Sequence, residues 1–311
     1  MSKILFTFLF CLLTFFVIVQ TKKNAPLINL NTKDITPKFL SFYDTSIKQN
    51  ASEENRWNLW KTMYDFAATP PTPQGDSIAR KLLDQAWSRY PSIINLIKKG
   101  ASVISAIAKK EFTEIADLLK PDSTINVTLL VYVGGFEGNA FTTAQNGKIT
   151  TAIAIETRPS TLPLIMTHEL THAVHIGMGS FAGGWQRTIG TIIVTEGLAM
   201  RVTQKLFPTH PDKDFTDYSP GWLAQATKHR SEILKNIQPF LFSDNMNDVM
   251  RFTMGKDSLG FERQTYYVGW IVVGYWLNHG MTFADIAHIH EKEMALHVQK
   301  TIEILLKNSS N

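Results

Sequence analysis

The sequence contains one cysteine, Cys11, among 311 residues. This excludes a disulfide framework, a zinc site built from thiolates and an iron–sulfur cluster. Basic and acidic residues number 31 and 27, so the net charge is +4, and no block of like charge occurs. We therefore expect no nucleic-acid partner. The phosphate-binding pattern GxxxxGK followed by Ser or Thr, the dinucleotide pattern GxGxxG and the serine-hydrolase pattern GxSxG are also absent.

An apolar run stands at the start of the chain. Residues 4–19 carry no charge and follow Lys3. A short basic start before such a run is typical of a secretory signal, and the run is shorter than the about 20 apolar residues of a membrane-spanning helix. We predict that residues 1–22 are a signal peptide or an N-terminal anchor. The protein is then exported, and is either periplasmic or secreted, or associated with the membrane through this segment.

The remaining chain divides into two parts of different texture. Residues 24–122 have helical periodicity, with Ser52 and Asp76 as predicted helix caps on either side of a Pro-rich break. Residues 123–311 carry short strands followed by helices. We predict a helical N-terminal part and a second part that combines strands and helices. Because no flexible or charged linker separates them, we expect 24–311 to form one compact unit.

Three short strands are predicted in the second part. Residues 127–133 are apolar and β-branched, and residues 140–144 and 149–156 flank Asn146-Gly147. That dipeptide is the strongest short signal for a β-hairpin. The pattern returns to helices after Pro159. The sequence therefore predicts an α+β fold that is mostly helical, with a small mixed or antiparallel sheet.

Residues 168–172 read HELTH. Two side chains four residues apart on a helix differ by about 40° in direction and about 6 Å in height. The imidazoles of His168 and His172 can therefore face one point and hold one Zn²⁺ at about 2.0–2.1 Å. Glu169 lies next to the first ligand and can reach a water at the metal. We predict that the two histidines bind zinc and that Glu169 is the catalytic base.

A catalytic zinc site needs a third protein ligand. His175 lies about 10 Å along the helix from His168, so we predict a structural or supporting role for it. A second pattern, with Gly six and His or Asp ten residues after the first His, fails because Val174 and Met178 occupy these positions. Glu196 lies in an apolar run that predicts a buried helix, and it is the predicted third ligand. A buried salt bridge is the alternative role for this carboxylate.

These motifs resemble those of the gluzincin metallopeptidases, whose zinc ligands are two His and one Glu. HELTHAV is similar to the thermolysin-type motif, and Asn139-Ala140-Phe141 is similar to the N-A-F of that family's edge strand. The resemblance implies that residues 123–311 are a zincin-like catalytic part, with an active-site helix beside an edge strand where Asn139 and Ala140 bind an extended peptide. A longer pattern, spread over most of residues 50–285, is similar to a bacterial group of predicted exported zinc-dependent proteases. It comprises RWNLW, PPTPQG, VGGFEGNAF, HELTHAVH, TEGLAM and YYVGW.

The resemblance implies zinc-assisted hydrolysis of a peptide or protein substrate. A Tyr or His outside the ligand set is then expected to donate a hydrogen bond to the developing oxyanion. The candidates are Tyr266 and Tyr267, at the start of a late apolar helix. Because adjacent residues point to different helix faces, at most one of them fits, and core packing is the alternative for both. Arg263 nearby is predicted to be a solvated or paired charge.

Two other functions remain open at this stage. One is a metal-binding protein of the cell envelope without catalytic activity, and the other is a zinc hydrolase of a non-peptide amide. Glu169 argues against the first, because a structural zinc site needs no base. The edge-strand resemblance favours a peptide over another amide.

Overall fold

The structure, a computed structural model, describes residues 28–184, 186–256 and 260–308. The predicted leader at residues 1–22 lies outside these ranges. In the described ranges, no helix is both long enough and apolar enough to cross a membrane.

The described part of the chain contains four strands and fourteen α-helices. The strands are β1 (Ile28–Asp34), β2 (Ile125–Tyr132), β3 (Ala140–Gln145) and β4 (Lys148–Ala154). The helices before β2 are α1 (Thr36–Lys48), α2 (Glu53–Met63), α3 (Pro73–Ala86), α4 (Tyr90–Lys99) and α5 (Ser102–Leu119). The helices after β4 are α6 (Leu162–Gly177), α7 (Ile189–Leu206), α8 (Lys213–Thr216), α9 (Trp222–Lys228), α10 (Arg230–Ile237), α11 (Met246–Thr253), α12 (Gln264–Asn278), α13 (Phe283–Ala287) and α14 (Glu291–Lys307).

The strands form one mixed sheet in the order β1-β2-β4-β3. β1 and β4 both run parallel to β2, whereas β3 pairs with β4 in the antiparallel sense. The predicted α+β class with a small mixed sheet is confirmed. The hairpin at Asn146-Gly147 is also confirmed, and both residues have the positive φ that such a two-residue turn requires.

The sequence pattern did not predict strand β1, which lies in the N-terminal part that was predicted to be mostly helical. β1 pairs in register with β2 from Ile28 to Asp34, so it forms the edge of the sheet opposite β3. Its exposed and half-buried residues, INLNTKD, include few of the β-branched residues that mark a strand. Pairing with the buried strand β2 therefore decided the conformation of this segment.

Two of the N-terminal helices, α2 and α3, begin at a residue whose side chain caps the helix. Ser52 caps α2 as predicted, since its side chain accepts a hydrogen bond from the backbone N–H of Asn55. The cap of α3 is Thr72, which accepts from Gly75, so the prediction of Asp76 as the cap is wrong. Pro73 fits the first turn of a helix, and α3 therefore begins one turn earlier than expected, with Asp76 inside that turn.

Helix α6 lies at the centre of the molecule. It packs against β3 and β4 of the sheet, against α5 and against α7, while α7 also packs against α12 and α14. One apolar core extends through all of these elements, with Phe112 on α5, Leu129 on β2, Leu170 on α6 and Ile193 on α7. The position of α6 between the sheet and α7 is therefore fixed from both sides.

Candidate metal centre

The sequence of α6 explains its position and orientation. Pro163 lies in its first turn, and the helix ends at Gly177. Leu170 and Val174 are fully buried on the side facing the core. His168 and His172 lie one turn apart on another side of the helix, where His168 is half-buried and His172 is buried. The apolar face therefore fixes the rotation of α6 and directs both imidazoles towards α7.

Glu196 lies on α7, which is buried along nearly its whole length. Its Oε2 atom is 3.2 Å from Nε2 of His168 and 3.4 Å from Nε2 of His172. The two Nε2 atoms are themselves 3.2 Å apart. The structure thus brings together the three predicted ligands, and their three donor atoms form a nearly equilateral triangle.

This triangle fits a zinc ion. Tetrahedral coordination at about 2.0–2.1 Å places two ligand atoms about 3.3–3.4 Å apart, which matches the three separations. Two imidazoles and one carboxylate form a donor set of known catalytic zinc sites, which leave a fourth position open. Within the described ranges, His168, His172 and Glu196 are the one group of three or more potential ligands with this proximity.

The electrostatics of the triangle agree with an ionised carboxylate. Burial raises the pKa of Glu196, but the charge of His172 and hydrogen bonds to both imidazoles outweigh it, so the pKa lies well below its ordinary value. Burial lowers the pKa of His168. The hydrogen bond to Glu196 and the charge of Glu196 together outweigh this effect, so the pKa of His168 lies above its ordinary value. The carboxylate of Glu196 is therefore ionised and paired with the imidazoles, and the ionised form is the one that binds a cation.

The carboxylate of Glu169 is placed to act at this cluster. Its Oε2 atom is buried and has no hydrogen-bond partner among the described residues. Its negative charge contributes to the raised pKa of both His168 and Tyr266, so the group lies close to each of them. A buried carboxylate oxygen without a partner is costly to maintain, and such groups concentrate where a ligand or a reaction uses them.

The edge strand β3 runs beside α6. The hydroxyl of Thr142 donates a 2.8 Å hydrogen bond to the backbone carbonyl of Glu169, which links the strand to the helix at the predicted base. In the β3–β4 hairpin, hydrogen-bonded pairs alternate with non-hydrogen-bonded pairs from the turn outward. The backbone groups of Ala140, Thr142 and Ala144 consequently point away from β4, towards the open edge.

The two residues predicted to bind substrate differ in their surroundings. Ala140 is the first residue of β3, and its backbone faces the open edge. The side-chain amide of Asn139 donates a 3.0 Å hydrogen bond to the backbone carbonyl of Ala68. The backbone carbonyl of Asn139 accepts a 2.7 Å hydrogen bond from the hydroxyl of Tyr132. Asn139 therefore anchors the start of β3 to the N-terminal part of the chain.

The structure separates the two tyrosines at the start of α12. Burial raises the pKa of Tyr266, and the charges of Glu196 and Glu169 raise it further, so its hydroxyl lies near the cluster. Tyr267 is buried elsewhere, against the ring of Trp222, and its hydroxyl bonds Thr227. Tyr266 is thus the tyrosine that faces the triangle, and Tyr267 lies in the core.

The sequence did not identify Arg263, which adjoins the same cluster. It was predicted to be a solvated or paired charge, yet it is half-buried, with its guanidinium 4.8 Å from the ring of Tyr266 and 5.1 Å from the ring of Tyr218. Its positive charge opposes the upward shift of the pKa of His168. The available signal was its position directly before the tyrosine pair, at the start of α12.

His175 lies outside the triangle, which agrees with the supporting or structural role predicted for it. Its ring is fully buried and packs edge-on against Phe181 with centroids 4.7 Å apart. Burial lowers its pKa to about 3, with a further contribution from the charge of His172. The imidazole is therefore neutral at physiological pH.

The fold and the cluster together define an α+β protein with a candidate His–His–Glu metal centre. The chain belongs to the family described as "Predicted Zn-dependent protease (DUF2268)", whose model matches residues 104–295. That region begins within α5 and includes the whole sheet except β1, together with both helices that carry the triangle. No curated protein and no solved structure gives a significant match to the chain.

Proposed function

We propose that this protein is a zinc-dependent peptidase of the gluzincin type, with one Zn²⁺ held by His168, His172 and Glu196. The observation that carries the proposal is the triangle of donor atoms at 3.2–3.4 Å with the unpartnered Oε2 of Glu169 beside it. The family description supports the metal and the reaction class. The thermolysin-like HELTHAV motif supports the same assignment of roles.

The chemistry divides between the metal and the side chains. A zinc ion held by His168, His172 and Glu196 would act as a Lewis acid and would lower the pKa of a water molecule towards neutrality. The carboxylate of Glu169 would accept a proton from the attacking water as the water oxygen bonds to the carbonyl carbon of the peptide. When the carbon–nitrogen bond breaks, Glu169 returns the proton to the leaving amine. Tyr266 donates its hydroxyl hydrogen bond to the carbonyl oxygen as negative charge develops on it.

The open edge of β3 can place an extended substrate over α6. A peptide that adds to this edge would form backbone hydrogen bonds with Ala140 and its outward-facing neighbours on the strand. Asn139 contributes by fixing the start of the strand, because its side chain is already bonded to Ala68. This arrangement favours a peptide or protein substrate over a small amide.

We also propose that the protein acts outside the cytoplasm, directed there by residues 1–22, and that 24–311 works as a single unit. The second proposal is supported by β1, which pairs with β2, and by Tyr64, whose hydroxyl bonds the backbone of Val133. Cell fractionation of the full chain and of a chain that starts at residue 24 tests the first. A fragment of residues 123–311 that folds and cleaves peptides would contradict the second.

The central test combines metal content with peptide cleavage. Purified protein should contain one zinc per chain by elemental analysis, and it should digest a peptide library, with activity lost in chelator and restored by zinc. Glu196→Gln should lose most of its zinc, because removing one of three ligands leaves two neutral donors. Glu169→Gln should keep its zinc and lose cleavage by at least about 100-fold, as expected for a missing general base.

Glu293→Gln, on an exposed face of α14, is the matched control for both variants and should behave as the native chain. If Glu169→Gln kept full cleavage with zinc bound, the assignment of the base would be wrong. A native chain that binds zinc at the triangle but hydrolyses only non-peptide amides, or nothing, would instead support the alternative functions.

A further inference from the structure

A cavity of about 460 Å³ opens beside the start of α6. Thr161, Leu164 and Ile165 line its helix side. Residues three and four apart share one helix face, so these three residues lie on the same face as His168, in the turns directly before it. The cavity therefore lies on the His168 side of the helix, within one to two turns of the candidate metal centre.

The same cavity adjoins the start of the edge strand. Gly138, two residues before Ala140, lies in its wall, together with Phe136 from the loop between β2 and β3. An extended peptide on the open edge of β3 would thus pass from the metal centre to the mouth of the cavity. The volume lies within the range for ligand pockets and is more than enough to admit one large side chain.

The wall and base of the cavity combine apolar groups with one carboxylate. Leu164 is buried, and Phe136, Ile165 and Glu156 are half-buried. The carboxylate of Glu156 accepts hydrogen bonds from the backbone N–H groups of Gly134 and Phe136, both at 3.2 Å. These bonds fix the carboxylate in place and leave further lone pairs to accept from a ligand.

Glu156 has no cationic partner within ion-pair distance in the described ranges of the chain. Burial raises its pKa, and the nearby negative charge of Glu137 raises it further, while three backbone hydrogen bonds oppose these effects. A partly buried carboxylate without a counter-ion is electrostatically incomplete.

The exposed rim of the cavity does not supply the missing charge. Arg89 and Arg158 lie there with Glu137 and Asp214, so the two positive and two negative charges balance. The guanidinium of Arg89 lies 3.8 Å from the ring of Phe136, where it shields one apolar wall. The uncompensated charge of the cavity is therefore that of Glu156.

We propose that this cavity binds a basic side chain, lysine or arginine, of a substrate residue next to the cleaved bond, with Glu156 as its charge partner. The aliphatic stem of either side chain would pack on Leu164 and Ile165, while its cationic end reaches the carboxylate. The inference rests on the proposed peptidase function and adds a substrate class to it. Glu156 is a specificity-determining residue under this assignment.

The first experiment needs no variant. Zinc-loaded native protein is given peptides of one scaffold whose scanned position holds lysine, acetyl-lysine, norleucine, arginine or citrulline, on either side of the bond that is cut. At one position, lysine and arginine should be cleaved about 10- to 100-fold faster than their neutral counterparts, as expected for a charge-assisted hydrogen bond. Equal rates for charged and neutral members at every position would overturn the assignment of the cavity.

The second experiment uses Glu156→Gln, with Glu293→Gln as its control. The variant should lose the preference for lysine over norleucine, because its rate on the lysine peptide should fall by a larger factor than its rate on the norleucine peptide. A purely structural role of Glu156 would lower both rates equally, and this result would contradict the proposal.

A binding measurement separates this inference from the proposed function. Glu169→Gln protein should bind the lysine peptide about 10-fold or more tightly than the norleucine peptide, as measured by titration calorimetry. Peptides cleaved without a preference for charge would refute the inference alone. If no peptide in the library were cleaved by zinc-loaded native protein, the proposed function would fail, and equal binding of the two peptides would refute the inference as well.

Discussion

Thr142 on the edge strand donates its hydroxyl hydrogen bond to the backbone carbonyl of Glu169 on the central helix. The hydroxyl of Thr142 also contacts the hydroxyl of Thr151 on β4 at 2.9 Å. The edge strand, where we propose that substrate binds, and the proposed base are thus joined by a short chain of hydrogen bonds. We expect the distance between β3 and α6 to depend on the hydrogen bond between Thr142 and Glu169.

Replacing Thr142 with valine tests that link. Thr142→Val keeps the shape of the side chain but leaves the Glu169 carbonyl without this donor, which should destabilise the protein by about 1–2 kcal/mol. Because small shifts of the strand misplace the substrate, kcat should fall by about 10- to 100-fold while zinc content stays unchanged. Thr143→Val is the matched control, since Thr143 points to the opposite face of β3. Equal effects of both substitutions on kcat would contradict the role of the link.

Gly197 and Gly269 allow α7 and α12 to approach each other closely. A β-carbon added at Gly197 would overlap the carbonyl of Gly269, and one added at Gly269 would lie 2.5 Å from the carbonyl oxygen of Ile193. Gly197 follows Glu196 in sequence, and Gly269 lies one turn after Tyr266. The close contact therefore fixes the position of Glu196, the proposed third ligand, relative to Tyr266, the proposed oxyanion donor.

Gly269→Ala should force these helices apart. We expect a loss of about 1–3 kcal/mol in the free energy of unfolding, as for other overpacked cores, and weaker zinc binding because Glu196 moves with α7. Urea unfolding and a zinc competition assay measure the two effects. Gly184→Ala is the control, since a β-carbon there meets no atom within 4 Å. Native stability in Gly269→Ala would show that the contact is not tight.

The two tyrosines at the start of α12 should respond differently to loss of their hydroxyls. Tyr266→Phe should lower kcat by about 100-fold with little change in zinc content, as for removal of one oxyanion donor. Tyr267→Phe should leave kcat near the native value and reduce stability by about 1 kcal/mol, because its hydroxyl forms a hydrogen bond with the side chain of Thr227. Steady-state kinetics and thermal unfolding of both variants measure these effects. A large loss of kcat in Tyr267→Phe, with native kcat in Tyr266→Phe, would contradict the assignment of Tyr266 as the oxyanion donor.

Acid should destabilise the metal-free protein through His175. Burial lowers the folded pKa of His175 to about 3, whereas its unfolded value is about 6.5. Its stabilising contribution is therefore complete above about pH 6.5 and is lost as the pH falls towards 3, because the unfolded chain binds the proton first. Between pH 6.5 and 5 this loss is about 2 kcal/mol, at about 1.4 kcal/mol per pH unit.

Urea unfolding in chelator at several pH values measures that effect. His175→Leu should lose about 2 kcal/mol less than the native chain between pH 6.5 and 5, although its absolute stability can differ. His279→Gln, which replaces an exposed histidine, should follow the native pH dependence. Parallel pH curves for the native chain and His175→Leu would contradict the assignment.

Local chemistry made several elements predictable. Ser52 caps α2 because its hydroxyl meets a nearby N–H, and the Asn146-Gly147 turn forms because both residues accept positive φ. The position of β1 was not predictable in this way, since its sequence has weak strand propensity and its conformation depends on pairing with β2. The start of α3 was misplaced for a different reason, because Thr72 and Asp76 can both cap and only one is needed.

The sequence by itself determined the pair of histidines, because four residues on a helix place two side chains on one face whatever surrounds them. It also predicted Glu196, because an isolated carboxylate in an apolar helix requires a partner. Only the tertiary structure decided that Tyr266 rather than Tyr267 lies near the triangle and that Glu156 lines a cavity beside the start of α6. These relationships depend on how α6, α7, α12 and the sheet pack together, and packing across long sequence separations leaves no local signal in the chain.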